Sequence, residues 1–288
     1  MMASHRRRLN AYFLSAPAAI LIVAFLVTPI LSTVLLSLRE YSTYGGISDT
    51  ISLLNYRDIF TDSYFAEVLL RTMKISLLVT LGALVLGVPE AYILYRMRSP
   101  WRNIFLLVVL GPLFISVVAR TLGWALIFGS TGLISSTLQR FGLISQPFDL
   151  MYTETGVVIA LIHVLVPYMV LSVWASLQRL DRRIESAAES LGASQITIIR
   201  RIVLPLALPG ILAGSLIVFA LAASAFATPA ILGGRRLKVV ATLAYDEFLN
   251  TLNWPLGAAV AILLLIFIAI LMTVINKWIE SKYSEVFK

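Results

Sequence analysis

Two charged residues lie inside long apolar stretches, and they are the first candidates for chemistry in this sequence. Glu90 falls in one apolar run and Arg120 in the next, with Trp124 four residues later on the same helical face. An ionised side chain inside a membrane helix is costly, so such a residue is a functional-site hypothesis by default. Glu90 could meet a cationic solute on a translocation path, or pair with Arg96 near its helix end and be structural. Arg120 could gate that path or extend to the membrane interface, and both interpretations stand.

Aromatic and histidine side chains add little chemistry of their own. Tyr168, Trp174 and Trp254 could form a cation-binding aromatic wall, although Trp and Tyr near span ends are commonly interface anchors. His163 is expected to be a helix-packing residue, because the chain holds 2 histidines and no cysteine and shows no second metal ligand near it. The candidate path residues are therefore Glu90, Arg120, Trp124 and Tyr168, and no metal site is expected.

No catalytic constellation is visible in the sequence. There is no Ser/His/Asp arrangement, no pair of carboxylates suited to hydrolysis, and no G-x-x-x-x-G-K-[ST] loop to hold nucleotide phosphates. A nucleotide-driven process would need its nucleotide-binding site on another subunit. The sequence thus indicates a protein that is not an enzyme.

Composition places the chain in the membrane. Of its 288 residues 59% are hydrophobic and 13% are charged, and its mean hydropathy is +0.90, whereas soluble domains carry about a quarter charged residues. The formal net charge of +8 comes from short basic clusters beside apolar runs, which is a topology signal and not a phosphate-binding face. We expect a polytopic membrane protein that contacts lipid and binds no nucleic acid.

One polar break, residues 181–209, interrupts this apolar sequence. Asp181 can cap a short helix, Glu185 lies early in that helix where acidic charge suits its dipole, and Gly192 lies just past its end. After it, Ser194 can cap a second segment that leads to Pro205 and the next apolar run. The pattern predicts a helix, a glycine corner and a second helix. The first helix has one apolar stripe at i, i+3, i+4 and i+7: Ile184, Ala187, Ala188 and Leu191.

This stripe predicts a protein partner. Small alanines allow close approach, and Ile184 and Leu191 could anchor a partner surface, each contributing about 1.5–3 kcal/mol if fully buried. An amphipathic loop lying on lipid headgroups is the alternative. The mixed charge of the segment and the alanine-rich stripe, which inserts poorly into lipid, favour the protein partner.

Six apolar runs long enough to span a membrane are predicted. They cover approximately residues 12–38, 69–95, 104–128, 156–178, 207–231 and 257–278, with Gly111-Pro112 as a kink in the third. The segment 39–67 is expected to be an external loop with at most one short helix. Basic residues cluster at the N-terminus (residues 1–11), the 96–102 turn, the polar break and the tail (279–288), so all four should be cytoplasmic.

The polar break resembles a known motif. Ser186-Ala187-Ala188, three residues, Gly192, nine residues and Ile202-Val203-Leu204-Pro205 are similar to the Glu-Ala-Ala loop of the permease subunits of binding-protein-dependent ABC importers. Ser186 stands where that family usually has glutamate, which puts one charge contact in doubt. The resemblance implies an all-α fold of six transmembrane helices, spanning 12–278, with a cytoplasmic coupling-helix loop (181–205) between helices 4 and 5.

In that family the loop docks in a groove of the ATPase subunit. The resemblance therefore assigns ATPase coupling to these residues: Ile184, Glu185, Ser186, Ala187, Ala188, Glu189, Leu191, Gly192, Ile202, Leu204 and Pro205. It also implies two ABC ATPase subunits that bind the ATP and Mg, a second permease subunit that is a homologous sibling, and a periplasmic or extracellular solute-binding protein. The chain itself would hold no cofactor and would lie in the bacterial inner membrane.

Softer features resemble the spermidine/putrescine branch of these permeases. They are the 55–60 stretch, Val118-Ala119-Arg120-Thr121 leading to Trp124, and the proline-flanked start of the fifth span. A polyamine is thus the expected solute. Ferric iron, phosphonate, sulfate or an amino-acid-derived solute remain alternatives, as does an ion-gradient-driven secondary transporter, for which the expected inverted repeats are not evident.

Overall fold

The protein is described from a computed structural model, which confirms an all-α membrane architecture. The structure describes residues 2–283, and their side chains except those at 2–15, 19, 182, 278–280 and 282–283. Within this range six helical segments are long and apolar enough to cross a membrane: Ala16–Ser37, Ser63–Arg96, Val117–Arg140, Glu154–Leu177, Gln195–Ala223 and Trp254–Lys277. The limits predicted for the basic N-terminus and for the tail depend on side chains outside the described residues, and they stay predictions.

The elements follow the chain in a simple order. They are α1 (Met2–Ser37), β1 (Arg39–Ser42), β2 (Gly46–Ile51), α2 (Leu54–Thr61), α3 (Ser63–Arg96), α4 (Trp101–Phe114), α5 (Val117–Phe128), α6 (Leu133–Arg140), α7 (Glu154–Leu177), α8 (Arg182–Ser190), α9 (Gln195–Ile198), a π-helical turn (Ile199–Val203), α10 (Leu204–Ala223), a second π-helical turn (Pro229–Gly233), α11 (Val240–Leu249) and α12 (Trp254–Tyr283).

The chain forms two compact units, and the smaller consists of residues 1–63 and 243–265. Its loop is more ordered than predicted, because β1 and β2 form an antiparallel hairpin before α2. Asn55, which is buried, donates through Nδ2 to the carbonyl oxygens of Ser37 and Arg39 at 2.9 and 2.8 Å. The polar stretch 55–60 therefore lies on α2 and holds the hairpin to the end of α1.

The larger unit consists of residues 64–242 and 266–288, and α7 and α10 pack against each other in it. Both faces of α7 are covered: Val157, Ala160, Met169, Val170 and Val173 are all fully buried. Close approach is possible because α10 has Gly210 where an added Cβ would lie 2.5 Å from the carbonyl oxygen of Ser172. Small residues in the fifth span thus allow the two helices to pack closely.

The third predicted span is wrong as a single kinked helix. α4 ends at Phe114, Ile115 is extended (φ −90°, ψ 136°), and α5 begins at Val117. Pro112 has no N–H to donate, which weakens the helix here, and the structure shows a break at Ile115 and Ser116 instead of a kink. The third spanning segment is Val117–Arg140, which includes α5, a turn at 129–132 and α6.

The fifth span begins earlier than predicted and ends earlier. The second segment of the polar break is not separate from it, because α9, the π-helical turn and α10 form one continuous helical path from Gln195 to Ala223. Pro205 lies in the first turn of α10, where its missing N–H is tolerated. The corner at Gly192 is therefore joined directly to a spanning helix.

Candidate functional site

Local geometry within residues 181–205, called here the corner segment, follows the predicted caps. Asp181 accepts a hydrogen bond from the backbone N–H of Arg183 at 2.9 Å and starts α8. After α8, Gly192 has φ +82°, a left-handed conformation that favours glycine. The Gly192 N–H donates to the Glu189 carbonyl oxygen (2.9 Å) and the Ala193 N–H to that of Ala188 (3.0 Å), the bond pair of a Schellman motif.

The chain then turns back into helix. Ser194 accepts from the N–H of Thr197 at 3.3 Å through its hydroxyl and starts α9, as predicted. Gln195 donates through Nε2 to Glu189 Oε1 at 2.6 Å, so a side-chain bond also spans the corner. Local bonds thus connect the two helical pieces across this corner.

The apolar stripe of α8 lies mostly uncovered within this chain. Ile184 is 47% exposed and Leu191 88% exposed, and Ile196 on α9 is 69% exposed. Ala187 is also exposed, whereas Ala188 is half-buried against the core, as is Ile202. Three large aliphatic side chains at one corner are an apolar surface of the kind that marks a protein contact.

Glu185 lies in the first turn of α8, as predicted, but it does not face solvent. Its side chain is buried, and its Oε2 accepts from Arg96 Nη1 at 3.0 Å and from the Tyr92 hydroxyl at 3.2 Å. Arg96 Nη1 also donates to the Tyr92 hydroxyl at 3.1 Å. The interpretation that Arg96 pairs with Glu90 is therefore wrong: Arg96 belongs to a three-residue cluster, Tyr92–Arg96–Glu185, that ties α8 to the end of α3.

The two partners of this ion pair are unequal. The Glu185 side chain is 5% exposed and the Arg96 side chain 44% exposed. Water could therefore hydrate Arg96 if Glu185 were removed, whereas Glu185 would stay shielded from water if Arg96 were removed. An unsatisfied buried polar group costs about 1–3 kcal/mol and a charged one more. The position of α8 thus depends on Arg96 at least as strongly as on Glu185.

A second candidate site is a cavity of about 590 Å³ in the membrane part of the larger unit. Residues of α3, α4, α5 and α7 line it: Leu86, Glu90, Val108, Val109, Pro112, Trp124, Ile159, Ile162, His163, Val166 and Pro167. Glu90 is half-buried, and the described residues offer its carboxylate no ion pair. A carboxylate in an otherwise apolar wall could attract a cation.

Trp124 and His163 form one side of that cavity. The indole N–H of Trp124 donates to His163 Nδ1 at 3.3 Å, and the two rings meet edge to face at 74°. His163 is thus a helix-packing partner, as expected. Among the described side chains, no group of three or more His, Cys, Asp or Glu could hold a metal ion.

Arg120 and Tyr168 do not line this cavity, so the four predicted path residues are only partly brought together. Arg120 donates through Nη1 to the carbonyl oxygen of Pro112, on the cavity wall. That carbonyl stands beside the break between α4 and α5. Arg120 therefore supports the broken backbone, and Tyr168 packs against the core.

Sequence reasoning missed Tyr92 altogether. Tyr92 and Arg96 lie four residues apart on one face of α3, which is a visible signal. Nothing in the sequence relates that face to Glu185, 89 residues further along.

Comparison with known proteins gives consistent matches. Residues 143–285 match the family described as "Binding-protein-dependent transport system inner membrane component". The chain is 32% identical over 247 residues to the spermidine/putrescine transport system permease protein PotB of Haemophilus influenzae, covering 85% of each chain. It is 31% identical over 253 residues to PotB of Escherichia coli K12, covering 88% of this chain and 92% of that protein.

A solved structure has the same fold. The crystal structure of a bacterial alginate ABC transporter, in complex with its alginate pentasaccharide-bound periplasmic protein, contains a chain that aligns with a TM-score of 0.80. The alignment covers 98% of this chain and 97% of that one at 18% sequence identity.

Proposed function

This chain belongs to the family of inner membrane components of binding-protein-dependent transport systems, and from that premise we propose that the solute it transports is a polyamine. It is the permease of an ABC importer and a multi-pass inner membrane protein. The observation that carries the polyamine proposal is the pair of PotB relatives, at 32% and 31% identity over at least 85% of this chain.

The corner segment is the proposed contact with the ATPase. The exposed Ile184, Ala187 and Leu191 form the docking face, and Gly192 sets its direction. The remaining residues assigned by the motif have supporting roles. Glu185 faces α3, Glu189 bonds Gln195, and Ile202 packs on the core, whereas Ser186 and Pro205 are exposed and Leu204 is half-buried.

Transmission from this contact would run through the cluster Tyr92–Arg96–Glu185. A helix attached to α3 by an ion pair whose carboxylate is buried could pass its displacement to that spanning segment. The ATP and Mg that supply the energy would be bound by two ATPase subunits, and a second permease and an external binding protein would complete the importer. Both termini and the 96–102 turn would then be cytoplasmic, as the basic clusters suggest.

The solute path would pass the cavity at Glu90. A polyamine carries several ammonium groups, and a carboxylate in an apolar, low-dielectric wall attracts such groups strongly. Trp124 adds an aromatic face beside it. Arg120 would act by holding the break between α4 and α5, and Tyr168 would act through packing.

Uptake by the purified complex tests this function. The tagged chain, isolated with its native partners and reconstituted in proteoliposomes, should import labelled spermidine or putrescine only with ATP and binding protein. Uptake driven by an ion gradient without ATP, or no uptake of either amine while sulfate or a phosphonate is imported, would contradict the proposal.

The path is tested separately with one pair of variants. Glu90→Gln should lower polyamine uptake by roughly tenfold, the order expected for losing one charge contact, and Glu90→Asp should restore most of it. Equal uptake by Glu90→Gln and the parent would remove Glu90 from the path and leave the permease assignment standing.

A further inference from the structure

A different cavity, away from the corner segment and from Glu90, carries an inference of its own. It has a volume of about 540 Å³ and opens where α3 ends, α4 begins and α7 ends. Arg98, Arg102, Trp174 and Gln178 are among the residues that line it, with buried Tyr95 at its floor. A space of this size suits a small-molecule group or a lipid headgroup.

Two arginines, Arg98 and Arg102, make the lining of this cavity basic. The backbone N–H of Arg102 donates to the Arg98 carbonyl oxygen at 3.1 Å, so they lie one helical turn apart at the start of α4. Neither has an ion pair within the described part of the chain, whereas nearby Arg96 is paired with Glu185. Two arginines thus line one cavity whose lining residues include no carboxylate.

Guanidinium groups favour phosphate. Their planar fork of N–H donors matches the oxygens of a phosphate group and can bind two of them at once. Gln178 adds a neutral donor to the same cavity, and the N-terminal end of α4 adds a favourable dipole. The lining therefore suits a phosphate anion better than a neutral or cationic ligand.

The position of the cavity indicates where that phosphate comes from. Spanning helices α3 and α7 both end here, so the cavity lies at the level of the headgroups of one leaflet. Trp101, which is 70% exposed, and half-buried Trp174 stand at the same level, where indole rings favour the interface. Basic pockets between transmembrane helices at this depth are suited to acidic headgroups.

We propose that this cavity binds the phosphate of an acidic phospholipid through Arg98 and Arg102. Such a lipid would hold the α3–α4 turn to the end of α7. This turn directly follows Arg96, which belongs to the cluster Tyr92–Arg96–Glu185. The site is independent of the transported solute, so it stands whether or not the polyamine proposal does.

Native mass spectrometry of the delipidated full-length chain tests the site. Phosphatidylglycerol should bind roughly thirtyfold more tightly than phosphatidylcholine with the same acyl chains, the size expected for two arginines acting on one anionic headgroup. Arg98→Gln with Arg102→Gln should reduce that preference to about twofold. Arg179→Gln, an exposed arginine at the same end that does not line the cavity, is the matched control and should keep the full preference.

Two further arms make the outcome specific. Arg98→Lys with Arg102→Lys should keep part of the preference, because the charge remains but the two-pronged fork is lost. Inorganic phosphate at millimolar concentration should not displace the lipid. Displacement by inorganic phosphate would assign the site to a soluble anion and overturn the lipid proposal. Equal binding of the two lipids, or an unchanged preference in a monodisperse Gln/Gln variant, would remove the site.

Discussion

Two glycine corners of the larger unit have nearly the same backbone and different attachments. At the end of α6 Gly142 has φ +69°, its N–H donates to Gln139 O (2.9 Å), and the Leu143 N–H donates to Leu138 O (2.9 Å). The corner at Gly192, with φ +82°, repeats this bond pattern. At both glycines an added Cβ would meet no atom within 4 Å, so a substitution strains the backbone alone.

Their attachments to the rest of the unit differ. At α6 the side-chain hydrogen bond is to the segment that follows it, because buried Ser135 accepts from the N–H of Phe148 at 3.0 Å. α8 is held by Arg96, on a spanning helix 89 residues earlier. The Gly192 corner thus has an ion pair to α3, whereas the described residues of α6 form none. The two corners share a turn geometry and differ in this long-range attachment.

The largest expected effect separates the two corners directly. Gly192→Val and Gly142→Val should each strain the backbone by about 1–2 kcal/mol. Only Gly192→Val should lower ATP-driven uptake, by roughly tenfold or more. Its strain would misalign the docking face, and a loss of about 1.4 kcal/mol in binding free energy there lowers the affinity for the ATPase tenfold. For both variants the measurements are ATP-driven uptake and the amount of ATPase recovered with the tagged chain. Gly192→Ala should have a smaller effect than Gly192→Val. Equal losses at both corners would attribute the effect to strain, and parent-like uptake by Gly192→Val would show that 181–205 is not the coupling element.

The ion pair should give the next largest effect, and an asymmetric one. Arg96→Gln leaves a buried carboxylate unpaired and should lower uptake by about fivefold, whereas Glu185→Gln leaves an arginine that water can reach and should lower it by about twofold. The double variant should resemble Glu185→Gln, because the unpaired carboxylate is gone. Ser135→Ala is the control at the other corner and should cost about 1 kcal/mol of stability without altering uptake. Additive losses in the double variant would mean that the pair does not act as a unit.

A smaller effect is expected at the apolar residues beside each glycine. Leu191 and Leu143 are 88% and 70% exposed, so Leu→Ala at either should change the free energy of unfolding by less than about 0.5 kcal/mol. Leu191→Ala should lower the ATPase recovered with the complex by roughly threefold, a modest interface effect, and Leu143→Ala should leave it unchanged. The stoichiometry of the purified complex is the measurement. Full recovery with Leu191→Ala would place the docking face elsewhere on the chain.

The smallest effect is expected for Ser186→Glu. The side chain is exposed on α8, and glutamate is a good helix former that restores the residue usual in the family motif. Uptake should stay within about twofold of the parent, the range of a surface substitution. A loss as large as that of Gly192→Val would mean that Ser186 itself makes a contact on which coupling depends.

Sequence reasoning succeeded where a feature depends on neighbours along the chain. The Asp181 cap, the Ser194 cap and the left-handed Gly192 are settled by bonds between residues within six positions of one another, so residue type and spacing are enough to predict them. The number of spanning segments followed from the same kind of evidence, because a membrane requires a minimum length of apolar helix.

The break at Ile115 and Ser116 shows the limit of that reasoning. Gly111-Pro112 indicates that the helix is weakened, but a kink and a full break satisfy the same local rule. Which one forms depends on which group donates to the carbonyl oxygens left without a helical partner, and here Arg120 Nη1 donates to the Pro112 carbonyl oxygen. That donor lies on the next helix, beyond the reach of a local pattern.

By itself, then, the sequence determined the number of apolar spans, the caps and the corner of this permease, because hydrophobic length and backbone capping are properties of short stretches. Only the tertiary structure decided which charges meet. Glu185 is one acid among several in a polar break, and Arg96 one base among several beside a span. Packing α8 against the end of α3 buries Glu185 and leaves Arg96 partly exposed as its partner, whereas Glu90 has no ion pair among the residues that the structure describes. Burial depends on the whole fold, and for that reason only the tertiary structure determines which of these charged side chains are buried and paired.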